Sequence, residues 1–146
     1  LFSGLKSNKM KSYPLISAVV VSVLLSFFCV NTVNAQAEIN PRIQTAIKTG
    51  SAKDLSVFFN NPIDLTTPGN EGTYSKSQAE MILRGFFQKY PPASFSISHH
   101  GKSNDGSQYA IGSYRSGSNV FRTYFLLKVI GGQPLIHQLK FETDED

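Results

Sequence analysis

Cysteine is nearly absent. Cys29 is the only one among 146 residues, and it lies in the N-terminal leader described below. The rest of the chain therefore has no disulfide and no thiol chemistry. Histidine is scarce too, with His99, His100 and His137 only. The first two are neighbours on a candidate strand and point to opposite faces, so just one of them can join His137. No H-x-x-E-H pattern accompanies them, so neither a metal nor a cofactor is expected. Glycine patterns that cradle phosphate are missing, and Gly131-Gly132 reads as turn material. There is no internal repeat, long linker or low-complexity segment. No catalytic or metal-binding signature announces a function.

Charge of one sign is also missing once the leader is set apart. Lys9-Met-Lys11 precedes an apolar run, Leu15 to Val30, and a small-residue exit at Val33-Asn-Ala35 and Ala35-Gln-Ala37. A basic start, an apolar centre and small residues at the two positions read by signal peptidase make a secretory signal. Residues 1–35 are thus read as a cleaved leader, with Met10 as the start and an upstream extension before it. Cleavage falls after Ala35, or after Ala37. The run spans 16 residues, counted from Leu15 to Val30, and is short for a membrane span, so no integral membrane segment is expected after cleavage. Ser26-Phe-Phe before Cys29 is too bulky for a lipidation signal. The whole chain has 14 basic and 10 acidic residues. Lys6, Lys9 and Lys11 leave with the leader, so 11 basic and 10 acidic residues remain in 36–146. That balance does not point to nucleic acid. The expected product is a single domain, 36–146, exported to the periplasm or secreted.

What the chain does have is apolar patterning. Asn119 to Ile130 is dense in β-branched and aromatic residues, Gly131-Gly132-Gln133-Pro134 interrupts it, and Leu135 to Phe141 resumes with a period near two. This pattern predicts two long antiparallel strands joined by a tight glycine turn. Phe95 to His99 and Gln108 to Tyr114 predict two more strands ahead of them. Asn40-Pro41 opens a short helix that Gly50 closes. Ser51-Ala-Lys-Asp54 opens a second helix, with Leu55, Phe58 and Phe59 on its buried face and Asn60-Asn61-Pro62 as its end. Ile63 to Thr66 and Gly72 to Tyr74 flank Pro68-Gly69, the signal for a short hairpin. Ser75-Lys-Ser-Gln78 is a capping box for a helix over 76–90, with Ala79, Ile82, Leu83, Phe86, Phe87 and Tyr90 on one stripe. Pro91-Pro92 stops it.

This order, carried by Leu55-Ser-Val-Phe-Phe59, Ile63-Asp-Leu65, Gly72 to Glu80, Leu83-Arg-Gly-Phe-Phe87 and the strands after Gln108, resembles the nuclear transport factor two-like fold, also called cystatin-like. It also looks like a small family of exported bacterial proteins of unknown function. The resemblance implies an α+β domain whose N-terminal helices pack on a curved antiparallel sheet that forms a cone. Members of the wider fold include isomerase-like and dehydratase-like enzymes and many pocketed proteins without known chemistry, so fold alone transfers no activity.

Two function classes remain. In the first, the domain is a non-enzymatic exported module that binds a small apolar ligand or a protein partner. In the second, it is a small isomerase- or dehydratase-like enzyme with a general base in the cone. The candidate groups for that base and its oxyanion donor are Asp64, Tyr74, His99 and His137. Alternation puts Phe95, Ile97 and His99 on one face, and Leu135, His137, Leu139 and Phe141 on another, both turned toward the helices. Phe95, Tyr109, Phe121, Phe125 and Phe141 are bulky enough to fill a small cone, which favours the first class. The opposite face of the long strands carries Val120, Arg122, Tyr124, Leu126, Lys128 and Ile130 beside Ile136, Gln138 and Lys140. A face mixing tyrosine, arginine and aliphatic groups has the composition of a protein interface. Arg122, Tyr124, Leu126, Lys128 and Gln138 are the expected contacts of a homodimer through the outer sheet face.

Overall fold

The computed structural model describes residues 3–4 and 39–143. The leader, its cleavage sites and the end of the acidic tail lie outside the described residues. Residues 39–143 fall in the second of two units of the chain, Gln36–Asp146.

Helix α1, Pro41–Thr49, starts where proline suits the first turn, and the Asn40 side chain accepts the Arg42 N–H at 2.9 Å. Gly50 ends it in the left-handed conformation. Helix α2, Ala52–Ser56, is capped by Ser51, whose hydroxyl accepts the Asp54 N–H. It stops earlier than its sequence suggests. Phe59 already belongs to strand β1, Phe59–Thr67, which runs through Asn60-Asn61-Pro62 instead of being preceded by them. Phe59 is buried all the same. β1 turns at Pro68-Gly69 into β2, Asn70–Tyr74, with Asp64 opposite Thr73 and Leu65 opposite Gly72. Helix α3, Lys76–Lys89, carries the expected capping box: the Gln78 N–H donates to the Ser75 hydroxyl and the Ser75 N–H to the Gln78 side chain.

The remaining strands are β3, Ser94–Lys102, β4, Gln108–Ser116, β5, Asn119–Ile130, and β6, Gln133–Thr143. β5 and β6 form the expected hairpin. Its two-residue turn, Gly131-Gly132, has φ of 59° and 79°, the positive pair that matches strand twist and that glycine adopts without strain. Strand order is β2-β1-β6-β5-β4-β3.

Two features of this sheet correct the cone expectation. It is mixed, because β1 runs parallel to β6. It is also open: β2 and β3 are its two edges and no ladder joins them, so the sheet is not curled or closed into a cone.

The core lies between the helices and one face of the sheet. Ile43 and Ile47 of α1, Leu55 of α2 and Ala79, Leu83, Phe86 and Phe87 of α3 meet Ala110 and Tyr114 of β4, Phe121 and Phe125 of β5, and Leu139 and Phe141 of β6. The Phe86 ring sits at the centre of the aromatic part, with centroids of Tyr114, Phe121 and Phe141 at 5.5, 5.3 and 4.6 Å. The Tyr114 hydroxyl is satisfied by the Tyr90 carbonyl, and burial raises its pKa well above the usual tyrosine value.

Two bulges overturn parts of the simple alternation. In β3 the register slips between Ile97 and His99, so Ser98 is extra. In β6, Ile136 pairs with Leu127 but Gln138 pairs with Leu126, so His137 is extra. A one-residue slip sends every later side chain to the other face. Phe95 and Ile97 therefore pack on the core, but His99 does not. Ile136, expected on the outer face, is fully buried in the core, and Leu135 and His137 leave it.

Candidate functional site

The four polar groups proposed for chemistry do not converge. Asp64 sits on the outer face of β1, and its carboxylate accepts the Thr73 hydroxyl at 2.6 Å. Tyr74 pairs with buried Ile63, one position along, and lies on the opposite face, near Gln78, Met81 and Ile82 of α3. His99 is exposed on the outer face at the β3 edge, opposite Ile111, with Nδ1 3.2 Å from the Ser98 hydroxyl. His137 is half-buried in the β6 bulge, and its Nε2 is buried without a hydrogen-bond partner. Burial lowers its pKa, the Lys128 ammonium lowers it further, and Asp64 acts in the opposite sense. Asp64 and His137 are thus the only two of the four brought into one neighbourhood. β5 and β4 separate β6 from the strand that carries His99. The helix-facing placement expected for both histidines is corrected by the two bulges. Among the described residues, no group of three or more His, Cys, Asp or Glu side chains is placed to hold a metal ion.

The outer face of the sheet is assembled from the strand registers. One row runs Thr66, Lys140, Tyr124, Ile111 and His99 across β1, β6, β5, β4 and β3. A second runs Asp64, Gln138, Leu126, Tyr109 and Gly101. A third runs Glu142, Arg122, Ser113 and Ser96. Tyr124, Leu126 and Gln138 are half-buried, and Arg122 and Lys128 are exposed. Arg122, Tyr124, Leu126 and Gln138 lie in these rows, and Lys128, two positions beyond Leu126 on β5, follows on the same face. Lys140 and Glu142 make an ion pair at 3.6 Å within it. At the β3 end, Ser98, His99, Ile111, Ser113 and Arg122 line a shallow depression.

The expectation that Tyr109 helps to fill the cone is corrected here, since alternation along β4 puts Tyr109 and Ile111 on the outer face. The Tyr109 ring lies over Gly101. A Cβ there would fall 2.5 Å from Tyr109 Cε1. Glycine at that position lets the aromatic ring cover the strand.

Helices on one face of a six-stranded sheet, in this order, define a nuclear transport factor two-like α+β domain. A likeness in fold alone is seen to a protein of that fold and of unknown function from Shewanella baltica, at 13% identity and a TM-score of 0.54, covering 92% of this chain and 98% of that one. The chain belongs to the DUF4783 family, a domain of unknown function whose family model matches residues 40–142. It is similar to a DUF4783 family protein from Bacteroides ovatus, at 29% identity and a TM-score of 0.68 over 75% of this chain and 98% of that one. A DUF4783 family protein from Bacteroides uniformis is similar at 23% identity and a TM-score of 0.69, over 75% of this chain and all of that one. Among curated proteins there is no match. No helix among the described residues is long and apolar enough to cross a membrane.

Proposed function

We propose that the domain is a non-enzymatic interaction module that pairs with a second copy of itself through the outer face of β4, β5 and β6. The observation that carries this reading is the contrast between the two faces of the sheet. The inner face is packed by three helices around the Phe86 cluster. The outer face has no covering element among the described residues, yet it holds Ile111, Tyr124 and Leu126 half-buried on its interior strands β4 and β5. Large side chains of that kind in a charged rim are the usual make-up of a contact surface. Arg122, Lys140 and Glu142 supply both signs of charge, which a self-complementary contact needs.

The enzymatic alternative lacks comparable support. A general base and an oxyanion donor must converge on one reacting carbon, and Tyr74 lies across the sheet from Asp64 and His137. Light scattering tests the contact. The wild type is expected to behave as a dimer, and Tyr124→Glu as a folded monomer. A wild type that stays monomeric at high concentration removes the proposal. Export to the periplasm or medium is part of the same reading and rests on the leader pattern. N-terminal sequencing of the exported form should begin at Gln36, or at Glu38. A product that keeps Leu15 to Val30 contradicts it.

A further inference from the structure

The helix side of the molecule has a groove of its own. It runs open to solvent between the outer side of α3 and the tip of the β1–β2 hairpin, has a volume of about 350 Å³, and is lined by Thr67, Asn70, Ile82, Gly85, Lys89 and Tyr90, with Met81 beside them. Met81 and Ile82 are shared with a smaller depression of about 180 Å³ that continues along the helix to Gln78 and Tyr74. Small-molecule sites begin at roughly 300 Å³. From Gln78 to Lys89 the helix advances about 16 Å, the reach of an extended alkyl chain.

Three observations say what would fit. First, Gly85 has no reason inside the fold. It sits in the body of α3, where glycine is less favourable than any residue but proline. Its φ is not positive, so no backbone conformation requires it. A Cβ built there meets nothing within 4 Å, so no neighbour requires it either. Missing side chains of this kind let a ligand approach a backbone closely. Second, Met81 is 68% exposed at the rim shared by both depressions. A thioether there is an adaptable apolar contact. Third, Lys89 is the one charged side chain lining either depression. Its ammonium lies 5.4 Å from the Tyr90 ring centroid, and it makes no ion pair among the described residues.

We propose that this groove binds a free single-chain amphiphile with an anionic head, of the fatty-acid carboxylate class. The alkyl chain lies over Gly85 between Met81 and Ile82, and the carboxylate meets Lys89. The site is separate from the outer sheet face and does not depend on the dimer reading.

The probe is dodecanoate, titrated below its micelle concentration into the purified protein, with the Met81 and Ile82 methyl signals followed by NMR. Saturable shifts at a stoichiometry of one per chain are expected. Lys89→Gln should weaken dodecanoate at least tenfold and leave dodecan-1-ol within twofold. Gly85→Leu should abolish both while melting no lower than wild type. Met81→Asp, at a side chain the fold leaves in water, repeats that test on an independent position. The proposal is overturned if no saturable shift occurs, if Gly85→Leu and Met81→Asp both bind as wild type does, or if Lys89→Gln affects acid and alcohol alike. It is equally overturned if phosphatidylglycerol vesicles or an apolar peptide shift Met81 and dodecanoate does not.

Discussion

Replacing Phe86 by alanine should nearly unfold the domain. Phe86 is 6% exposed, and its ring has five aromatic neighbours. Phe87, Tyr90, Tyr114, Phe121 and Phe141 lie with centroids at 5.6, 5.5, 5.5, 5.3 and 4.6 Å. Truncation removes the ring's transfer free energy and leaves a cavity. Burying Phe in such a core and then deleting it costs about 3–5 kcal/mol, depending on how far the site collapses. Collapse is restricted here, because Tyr114, Phe121 and Phe141 are anchored on three adjacent strands, β4, β5 and β6. Lost aromatic pairs add to the cost, each worth about 0.5–1.5 kcal/mol beyond its area. The upper part of the range is therefore expected, against a total stability of about 5–15 kcal/mol for a domain of this kind. At about 4–8 °C per kcal/mol for a domain near this size, the melting temperature should fall by about 15–40 °C. Urea denaturation followed by far-UV circular dichroism measures the free-energy loss, and a thermal melt measures the shift in melting temperature. Met81→Ala, at a water-facing position of the same helix, should stay within about 0.5 kcal/mol of wild type. A loss below about 1 kcal/mol for Phe86→Ala would show that the ring is not the centre of the core.

Two other outcomes follow from local geometry. Gly112→Ala places a methyl group 2.5 Å from the Ser96 carbonyl oxygen, which belongs to the backbone of the paired strand, so it should cost about 1–3 kcal/mol by overpacking. Gly101→Ala meets the Tyr109 ring at the same 2.5 Å, but that ring is 38% exposed and free to swing away, so its cost in the same urea titration should be clearly smaller. The third outcome concerns pH. Burial first, and Lys128 second, hold the His137 pKa below its ordinary value of 6.5, against the pull of Asp64. The folded state thus binds this proton more weakly than the unfolded chain. The stability of neutral His137 is complete above 6.5 and is lost as pH falls through the folded value. The urea midpoint should decline from pH 8 to pH 5, and His137→Gln should flatten that part of the decline. An unchanged slope in the variant would assign the decline to other groups.

The helices were legible because their ends carry residue-specific chemistry. Asn40, Ser51 and the Ser75–Gln78 pair each mark a first turn with side chains that accept or return a backbone N–H. The turns at Pro68-Gly69 and Gly131-Gly132 were legible for a similar reason, since positive φ selects glycine. The bulges at Ser98 and His137 were not. A bulge inserts one residue without demanding a particular residue type, and counting by twos runs straight through it. The error then propagates: strict alternation puts His99, Leu135, Ile136 and His137 each on the wrong face. Parallel pairing of β1 with β6 was hidden because its partners lie more than seventy positions apart, as with Asp64 and Gln138, and no local pattern encodes such a pairing. The early start of β1 at Phe59 follows from that same pairing, since Phe59 lies opposite Ile136. Of the candidate site, the set Arg122, Tyr124, Leu126, Lys128 and Gln138 was assigned to a common face because it lies on regular stretches to either side of the slip.

The most direct test of the sheet-face contact is a dilution series of the methyl-labelled protein observed by NMR. Mutual burial of the outer face predicts concentration-dependent shifts at the Ile111 and Leu126 methyls. The buried Leu83 and Leu55 and the groove residue Ile82 should stay unchanged. Shifts confined to Ile82 and Met81, or none at all over the accessible concentration range, would contradict a dimer formed through β4, β5 and β6.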